Sequence, residues 1–453
     1  MNRESISIQN NYKPPFFIVK IYIWSIIFEQ LVFFSFGASG DKFGIPLSFS
    51  RFLQFFILLF LFYTYIIRNF KLNLKFDKYF TTYFIITLIS TILSFLFFKT
   101  YDLDFNIIAG IQTILKGKYI RPFFDMFITL YYYFYFIILP SFFISNKNSL
   151  DYYISKTFFV LKLFLILGFL DLFISPLIGQ ALITRHIDDS IDVGFRFHSF
   201  GGEPRETFVF LTFNLVLLIF LNFTNYKIKN YKMYIIFIII SLILTQSSSG
   251  IFGFLFGSFI ALIYFVFKKS KKAIYTFSII TIVFFILLYL IQFSDRTIAY
   301  LEAFKDLIDI LKSGVELPYL LVQTAVNFLP LWDLILQLSN FDFLHAFFGS
   351  GFNACAFYNM KYFKMPDFSN PHAQITRLLF DSGIIGFYFY LLFITKPFLN
   401  FFKYISSSKK FTPFIIFFLF IGSSLAHRSL SPLILIGLIN TYIFFKRNIQ
   451  PNS

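Results

Sequence analysis

A succession of apolar runs, each about as long as a bilayer core is thick and separated by short lysine clusters, limits what this chain can fold into. Spans are read near Phe16 to Phe36, Phe49 to Ile67, Tyr79 to Phe98, Phe123 to Ile144, Thr157 to Ser175 and Glu206 to Phe223. Six more follow at Met233 to Gln246, Gly250 to Phe267, Ala273 to Phe293, Gly383 to Phe402, Thr412 to Ala426 and Leu430 to Phe445. Apolar residues make up 57% of the 453 and charged ones 14%, which excludes soluble domains, disorder and a collagen-like fibre. The expected fold is an all-α polytopic membrane protein of about 12 transmembrane helices, a single membrane domain over 1–453.

The net charge of +16 reflects topology rather than nucleic-acid binding. Twelve spans put both termini on one side, together with Arg68, Lys71, Lys75 and Lys78, then Lys227, Lys229 and Lys232, then Lys268, Lys269, Lys271 and Lys272. Lys403, Lys409, Lys410, Lys446 and Arg447 complete that side, and the bias of Lys and Arg toward cytoplasmic loops assigns it to the cytoplasm. The first apolar run is long for a signal-peptide core and no small-residue cleavage site follows it, so an uncleaved anchor is expected. The one cysteine, Cys355, permits neither an internal disulfide nor a cysteine-based zinc site.

The extracytoplasmic loops that follow from these spans include those at 176–205 and 294–371. The second, from Ser294 to Pro371, is too long for a mere connector. Within it, Asp295 to Leu311 alternates apolar and charged positions at helical spacing. Leu317 to Leu338 is apolar, but Asp333 and Gln337 and the placement of the later lysines disfavour a thirteenth span. Amphipathic helices lying over the membrane are expected there.

Arginines distribute differently from lysines: Arg51, Arg121, Arg185, Arg196, Arg205, Arg296, Arg377 and Arg428 all fall on the outer side. A guanidinium fork binds phosphate bidentately, so this bias suggests an anionic ligand outside; pairing with outward carboxylates is the structural alternative. The segment Gly194 to Phe210 reads GFRFHSFGGEPRETFVF. Pro204 suits a first helical turn, which places Arg205 at a helix N-terminus, where free N–H groups favour anions, with Glu203 beside it. Downstream, Asn370-Pro371 marks a turn into His372, Thr376 and Arg377, with Gly383 11 positions beyond His372. His372 is a candidate proton acceptor near neutral pH, or a solvent-exposed loop residue.

Two pairs of short spans meet at polar turns, Ser247-Ser248-Ser249 and the turn holding His427 and Arg428. Such turns are tolerated at depth where they line protein or a watery cavity, which makes Ser248 and Arg428 candidate cavity walls. Glu29 is the charge read in mid-span, either functional or paired with an arginine or a hydroxyl in the bundle.

Taken in order, Arg196 with Gly202-Glu203-Pro204-Arg205, the Thr245 to Gly250 turn, the large outer loop, and His372 followed by Gly383-Ile384-Ile385-Gly386 resemble the bacterial O-antigen polymerase and ligase superfamily. The SFSR stretch within Leu47 to Leu53 also resembles the start of the second span in these proteins. The resemblance implies a GT-C-type architecture in the bacterial inner membrane. Its implied substrates are oligosaccharide repeat units on undecaprenyl diphosphate, with chain-length regulator and flippase proteins as partners and no metal or cofactor. Glu-Pro-Arg is more similar to the repeat-unit polymerases; the ligases more often carry Asn after the Pro and Arg in the Ser-rich turn, where this chain has Arg205 and Ser248.

Arg196, Arg205 and Arg377 are then expected to hold the diphosphate, and His372 or Glu203 to take the proton of the incoming hydroxyl. Three alternatives remain: a ligase, a lipid-linked oligosaccharide flippase, and a metal-dependent transferase using Asp102 and Asp104. None of the five histidines shows metal-ligand spacing.

Overall fold

A computed structural model describes residues 13–31, 35–36, 47–68, 76–98, 101, 119–179, 182–183, 197–200, 204–223, 226, 228–245, 247, 250, 253, 257, 275, 278, 305, 333–335, 337–340, 342–363, 373–402, 420–422, 424–425 and 429–449. Among these residues the regular structure is helical apart from one short antiparallel ladder, β1 (Ser35–Phe36) on β2 (Leu47–Ser48). The helices of the first half are α1 (Phe16–Glu29), α2 (Phe49–Arg68), α3 (Lys78–Leu93), α4 (Ile120–Tyr133), α5 (Leu139–Phe143) and α6 (Lys147–Ile178). After them come α7 (Pro204–Phe223), α8 (Tyr231–Leu244), α9 (Phe343–Phe348), α10 (Ala354–Phe363), α11 (Gln374–Phe402) and α12 (Ser431–Ile449). A π turn at Ser94–Phe98 extends α3, and another at Phe134–Ile138 joins α4 to α5.

Among the described residues five helical stretches are long and apolar enough to cross a membrane: Phe49–Ile67, Lys78–Phe97, Ile120–Phe143, Lys147–Ile178 and Gln374–Asn400. Glu206–Asn222, Tyr231–Leu244 and Ser431–Thr441 are shorter apolar helices. The spans expected at Gly250 to Phe267, Ala273 to Phe293 and Thr412 to Ala426 lie largely outside the described residues, as does Leu317 to Leu338.

Three helix ends differ from the sequence reading for visible reasons: the tenth run begins at Gln374 rather than Gly383, because Gly383 kinks α11 instead of starting it. The first helix stops at Glu29 rather than Phe36, because Glu29 turns to Arg51 and the chain then enters the β1–β2 ladder. The fifth run starts at Lys147 rather than Thr157: Asn146 and Ser149 form a reciprocal cap that begins the helix ahead of the apolar stretch.

Side-chain pairs give the helix directions. Tyr79 meets Lys396, Tyr83 meets Tyr390 and Ile86 faces Gly386, so α3 and α11 are antiparallel. Tyr133 stacks on Phe80 and Phe123 on Phe95, which makes α4 antiparallel to α3. In α1, Tyr22 stacks on Phe143 and donates to the Tyr135 carbonyl, and Phe16 meets Tyr152, so α1 runs against α4–α5 and with α6. Phe164 packs on Phe210, and Tyr226 donates to Asp151, setting α7 against α6. The N-termini of α4, α7 and α11 therefore share one end of the bundle with the C-termini of α3 and α6.

At that end the chain leaves regular helix inside the bundle. The segment Gly349–Asn353 runs beside Thr91 of α3, roughly 10 Å from the Phe98 end by helical rise. Each N–H along it finds a partner: Gly349 donates to His345 O, Ser350 to Phe380 O, Gly351 to Asp381 O, Phe352 to Thr91 Oγ1 and Asn353 to Asp381 Oδ2. Carbonyls of Phe348, Ser350 and Phe352 accept from Ser90, Ser94 and Tyr101. Phe380 and Asp381 can offer their carbonyls because Gly383 (φ 63°, ψ −175°) interrupts the ladder of α11.

Gly349 and Gly383 pack backbone to backbone, both at positive φ, and a Cβ on either would run into the other's chain. Gly383→Ala should cost roughly 2–6 kcal/mol from backbone strain and overpacking together. Gly179→Ala, also at positive φ but with nothing within 4 Å, should cost only about 1–2 kcal/mol. Thermal melting in detergent, monitored by size exclusion, checks the difference.

Candidate functional site

The end of the bundle that holds the irregular segment also gathers charge. Arg121 opens α4 and Arg377 lies in the first turn of α11, each four residues ahead of an aspartate that it faces. Arg121 Nε lies 3.3 Å from Asp125 Oδ2, and Arg377 Nε lies 3.4 Å from Asp381 Oδ2. The two pairs join through Arg377 Nη2, 3.7 Å from Asp125 Oδ2. Exposure of these side chains is 15% for Arg121, 2% for Asp125, 13% for Arg377 and 7% for Asp381, so both carboxylates are shielded while the guanidiniums keep a little access.

Asp381 also organises the irregular segment, its Oδ2 taking the Asn353 N–H at 3.2 Å and its Oδ1 the Cys355 N–H at 2.9 Å. Two guanidiniums and two carboxylates leave the cluster neutral. Buried polar atoms without protein partners remain beside it: Asp125 Oδ1 and both side-chain atoms of Asn353, a residue at φ 59°. Such atoms are acceptors and donors left for water or a ligand hydroxyl.

A second buried pair lies in the same end. His198 Nε2 sits 3.2 Å from Asp171 Oδ2 near the end of α6, and His198 falls between the expected ligands Arg196 and Arg205. A third grouping, His345 with Ser350 Oγ at 2.9 Å and Asp333 at 3.7 Å, looks like a nucleophile arrangement but is not one. The same Nε2 faces both partners, whereas relay chemistry needs the aspartate on the opposite ring nitrogen. Burial pushes the His345 imidazole down and the Asp333 carboxyl up, which suits a structural contact.

Glu29 is satisfied within the bundle. It accepts from Arg51 Nη2 at 2.9 Å, Ser50 Oγ at 2.5 Å and Gln54 Nε2 at 2.6 Å, and Arg51 also donates to Tyr132 OH at 2.8 Å. Of the outward arginines, Arg51, Arg121 and Arg377 thus each face a carboxylate.

Of the residues singled out from sequence, Arg377 is placed with its side chain, and Arg205 is the second residue of α7, directly after Pro204. Arg196, Glu203, Ser248, His372 and Arg428 lie outside the described residues, as do Asp102 and Asp104. Asp125, Asp381, Asp171 and His198 were missed. The matching spacing of Arg121 to Asp125 and Arg377 to Asp381, at helix starts, was the available signal. Among the described residues no three His, Cys, Asp or Glu side chains group as metal ligands.

Comparison with known proteins gives no match: no family model, no curated protein and no solved structure is similar to this chain.

The cluster makes two predictions. Arg377→Leu strands Asp381 without a cation and should destabilise the protein by about 3–5 kcal/mol, and adding Asp381→Asn should restore part of that, read by thermal melting. Cys355 is fully buried and burial pushes its thiol well above the usual range, so a maleimide should label it only after denaturation, by mass spectrometry.

Proposed function

We propose that this chain is a polysaccharide polymerase that joins undecaprenyl-diphosphate-linked oligosaccharide repeat units on the outer face of the bacterial inner membrane, both termini being cytoplasmic. The reaction transfers a glycan from its lipid diphosphate to the terminal sugar of another lipid-linked unit. The observation that carries this reading is the gathering of arginines and helix N-termini at one end of an apolar bundle. That end holds the start of α7 with Arg205, the start of α4 with Arg121 and the start of α11 with Arg377. The resemblance noted in the sequence supplies the substrate class.

Cleaving the anomeric C–O bond releases a lipid diphosphate whose growing charge needs preorganised donors, and arginines supply them without nucleotide or metal. In this reading Arg196 and Arg205 grip the diphosphate. Arg377 has Nε turned to Asp381 and Nη2 to Asp125, which leaves Nη1 for the ligand. His372, or Glu203, accepts the proton of the incoming sugar hydroxyl, and Ser248 and Arg428 line the cavity. The twelve-span GT-C architecture and the partnership with a flippase and a chain-length regulator belong to the same proposal.

Deleting the gene and sizing the surface polysaccharide tests it. A polymerase loss leaves single capped units; long chains left on lipid would identify a ligase, and units stranded inside a flippase. Arg205 is the informative arginine to change, because Arg377 variants also lose the ion pairs of the fold. Arg205→Lys keeps the charge but not the fork, so chain formation in the complemented deletion strain should fall at least about tenfold while membrane protein levels hold. Near-normal chains with Arg205→Lys would remove bidentate recognition from the mechanism.

A further inference from the structure

Asp171 is a buried carboxylate in a helix long and apolar enough to cross a membrane, a position where an ionisable group is costly unless it is used. Its two oxygens divide their work. Oδ1 accepts from Ser175 Oγ at 2.6 Å and from the backbone N–H groups of Leu182 at 2.8 Å and Ile183 at 3.2 Å, on the chain leaving α6. Oδ2 faces His198 Nε2 at 3.2 Å, on the chain arriving at α7, and the same nitrogen lies 3.3 Å from the Ile183 carbonyl. One side chain therefore holds both ends of the loop over 176–205.

Neighbouring packing fixes the arriving end. The Phe197 N–H donates to the Leu244 carbonyl at the end of α8 at 2.8 Å, and the Phe197 ring packs against Phe169. Gly168 of α6 makes room for it, since a Cβ there would collide with the Phe197 ring and crowd the His198 carbonyl. Residues Phe197, His198, Ser199 and Phe200 are all buried. Arg196 is one peptide unit ahead of this pinned stretch and Arg205 is seven residues after His198.

We infer that the Asp171–His198 pair is a positioning clasp that sets the backbone from which Arg196 and Arg205 present their guanidiniums to the substrate diphosphate. The clasp requires a proton on Nε2, shared between the Asp171 carboxylate at 3.2 Å and the Ile183 carbonyl at 3.3 Å. His198 and Asp171 touch no reacting atom and act through the arginines, so the inference rests on the proposed lipid-diphosphate site. Misplacing a ligand by about 1 Å costs on the order of 10²-fold in rate, which gives the clasp its purpose.

Three variants of the full-length protein in detergent test it: His198→Leu keeps the bulk and removes the donor, His198→Gln restores a side-chain N–H, and Ser175→Ala trims a supporting bond. The first readout is the rate of tryptic cleavage at Arg196, located by mass spectrometry, which does not depend on what reaction the protein performs. The second is the KM for undecaprenyl-diphosphate oligosaccharide in chain formation. His198→Leu should raise cleavage at least about fivefold and KM about tenfold, with His198→Gln recovering much of both, because a lost contact to the arginine segment weakens substrate binding. A merely structural role would lower the active fraction and leave KM unchanged.

Unchanged cleavage in His198→Leu would overturn the clasp, as would faster cleavage with unchanged KM. If His198→Leu fails to accumulate, Ser175→Ala decides, with intermediate rises in both readouts supporting the clasp and no change in either refuting it. If the wild type forms no chains, the polymerase reading fails, and with it the positioning role; the cleavage rates then still decide whether the pair holds the loop.

Discussion

Buried backbone N–H and C=O groups must find partners within the protein, and the Gly349–Asn353 segment departs from regular helix beneath the end of α3 with every N–H paired. It does so by borrowing. The break at Gly383 releases the Phe380 and Asp381 carbonyls, α3 supplies the hydroxyls of Ser90, Thr91 and Ser94, and Asp381 turns its carboxylate to two further N–H groups. Because α3, the segment and α11 satisfy one another, none can shift alone. The arginines at the starts of α4 and α11 are thereby held in a fixed frame.

Charge is handled in the same economical way. Glu29 with Arg51, Asp125 with Arg121 and Arg377, and Asp171 with His198 are local groupings in which each carboxylate faces a cationic or N–H partner. A buried pair of this kind adds little net stability over apolar packing, but losing one partner is expensive, so these groups fix geometry more than they add stability. The arginines held by carboxylates serve the frame whatever else they bind, and Arg205 is the second residue of α7.

Most helices were legible because hydropathy sets their ends. The runs at Phe49, Tyr79, Glu206, Met233 and Leu430 fall within a few residues of α2, α3, α7, α8 and α12. Errors arose where polar chemistry overrode hydropathy: the ladder after Glu29 cut the first helix short, and the cap at Asn146 lengthened the fifth run. Pro204 placed the start of α7 correctly through its missing N–H. The charge clusters were less legible, because one partner of the arginine on α11 sits on α4, some 250 residues away in sequence, and periodicity within one helix carries no such information. Nothing in the sequence pairs Asp171 with His198, since only the fold brings the two together.

The most direct measurement is reconstitution. Purified protein in liposomes is given defined undecaprenyl-diphosphate oligosaccharide with a divalent-ion chelator present, and the products are resolved by length. The proposed chemistry predicts a ladder of multiples of the repeat unit, with one undecaprenyl diphosphate released for each linkage formed. Units that stay single while crossing the bilayer would contradict it, and a ladder abolished by the chelator would return Asp102 and Asp104 to the reaction and remove the arginines from its centre.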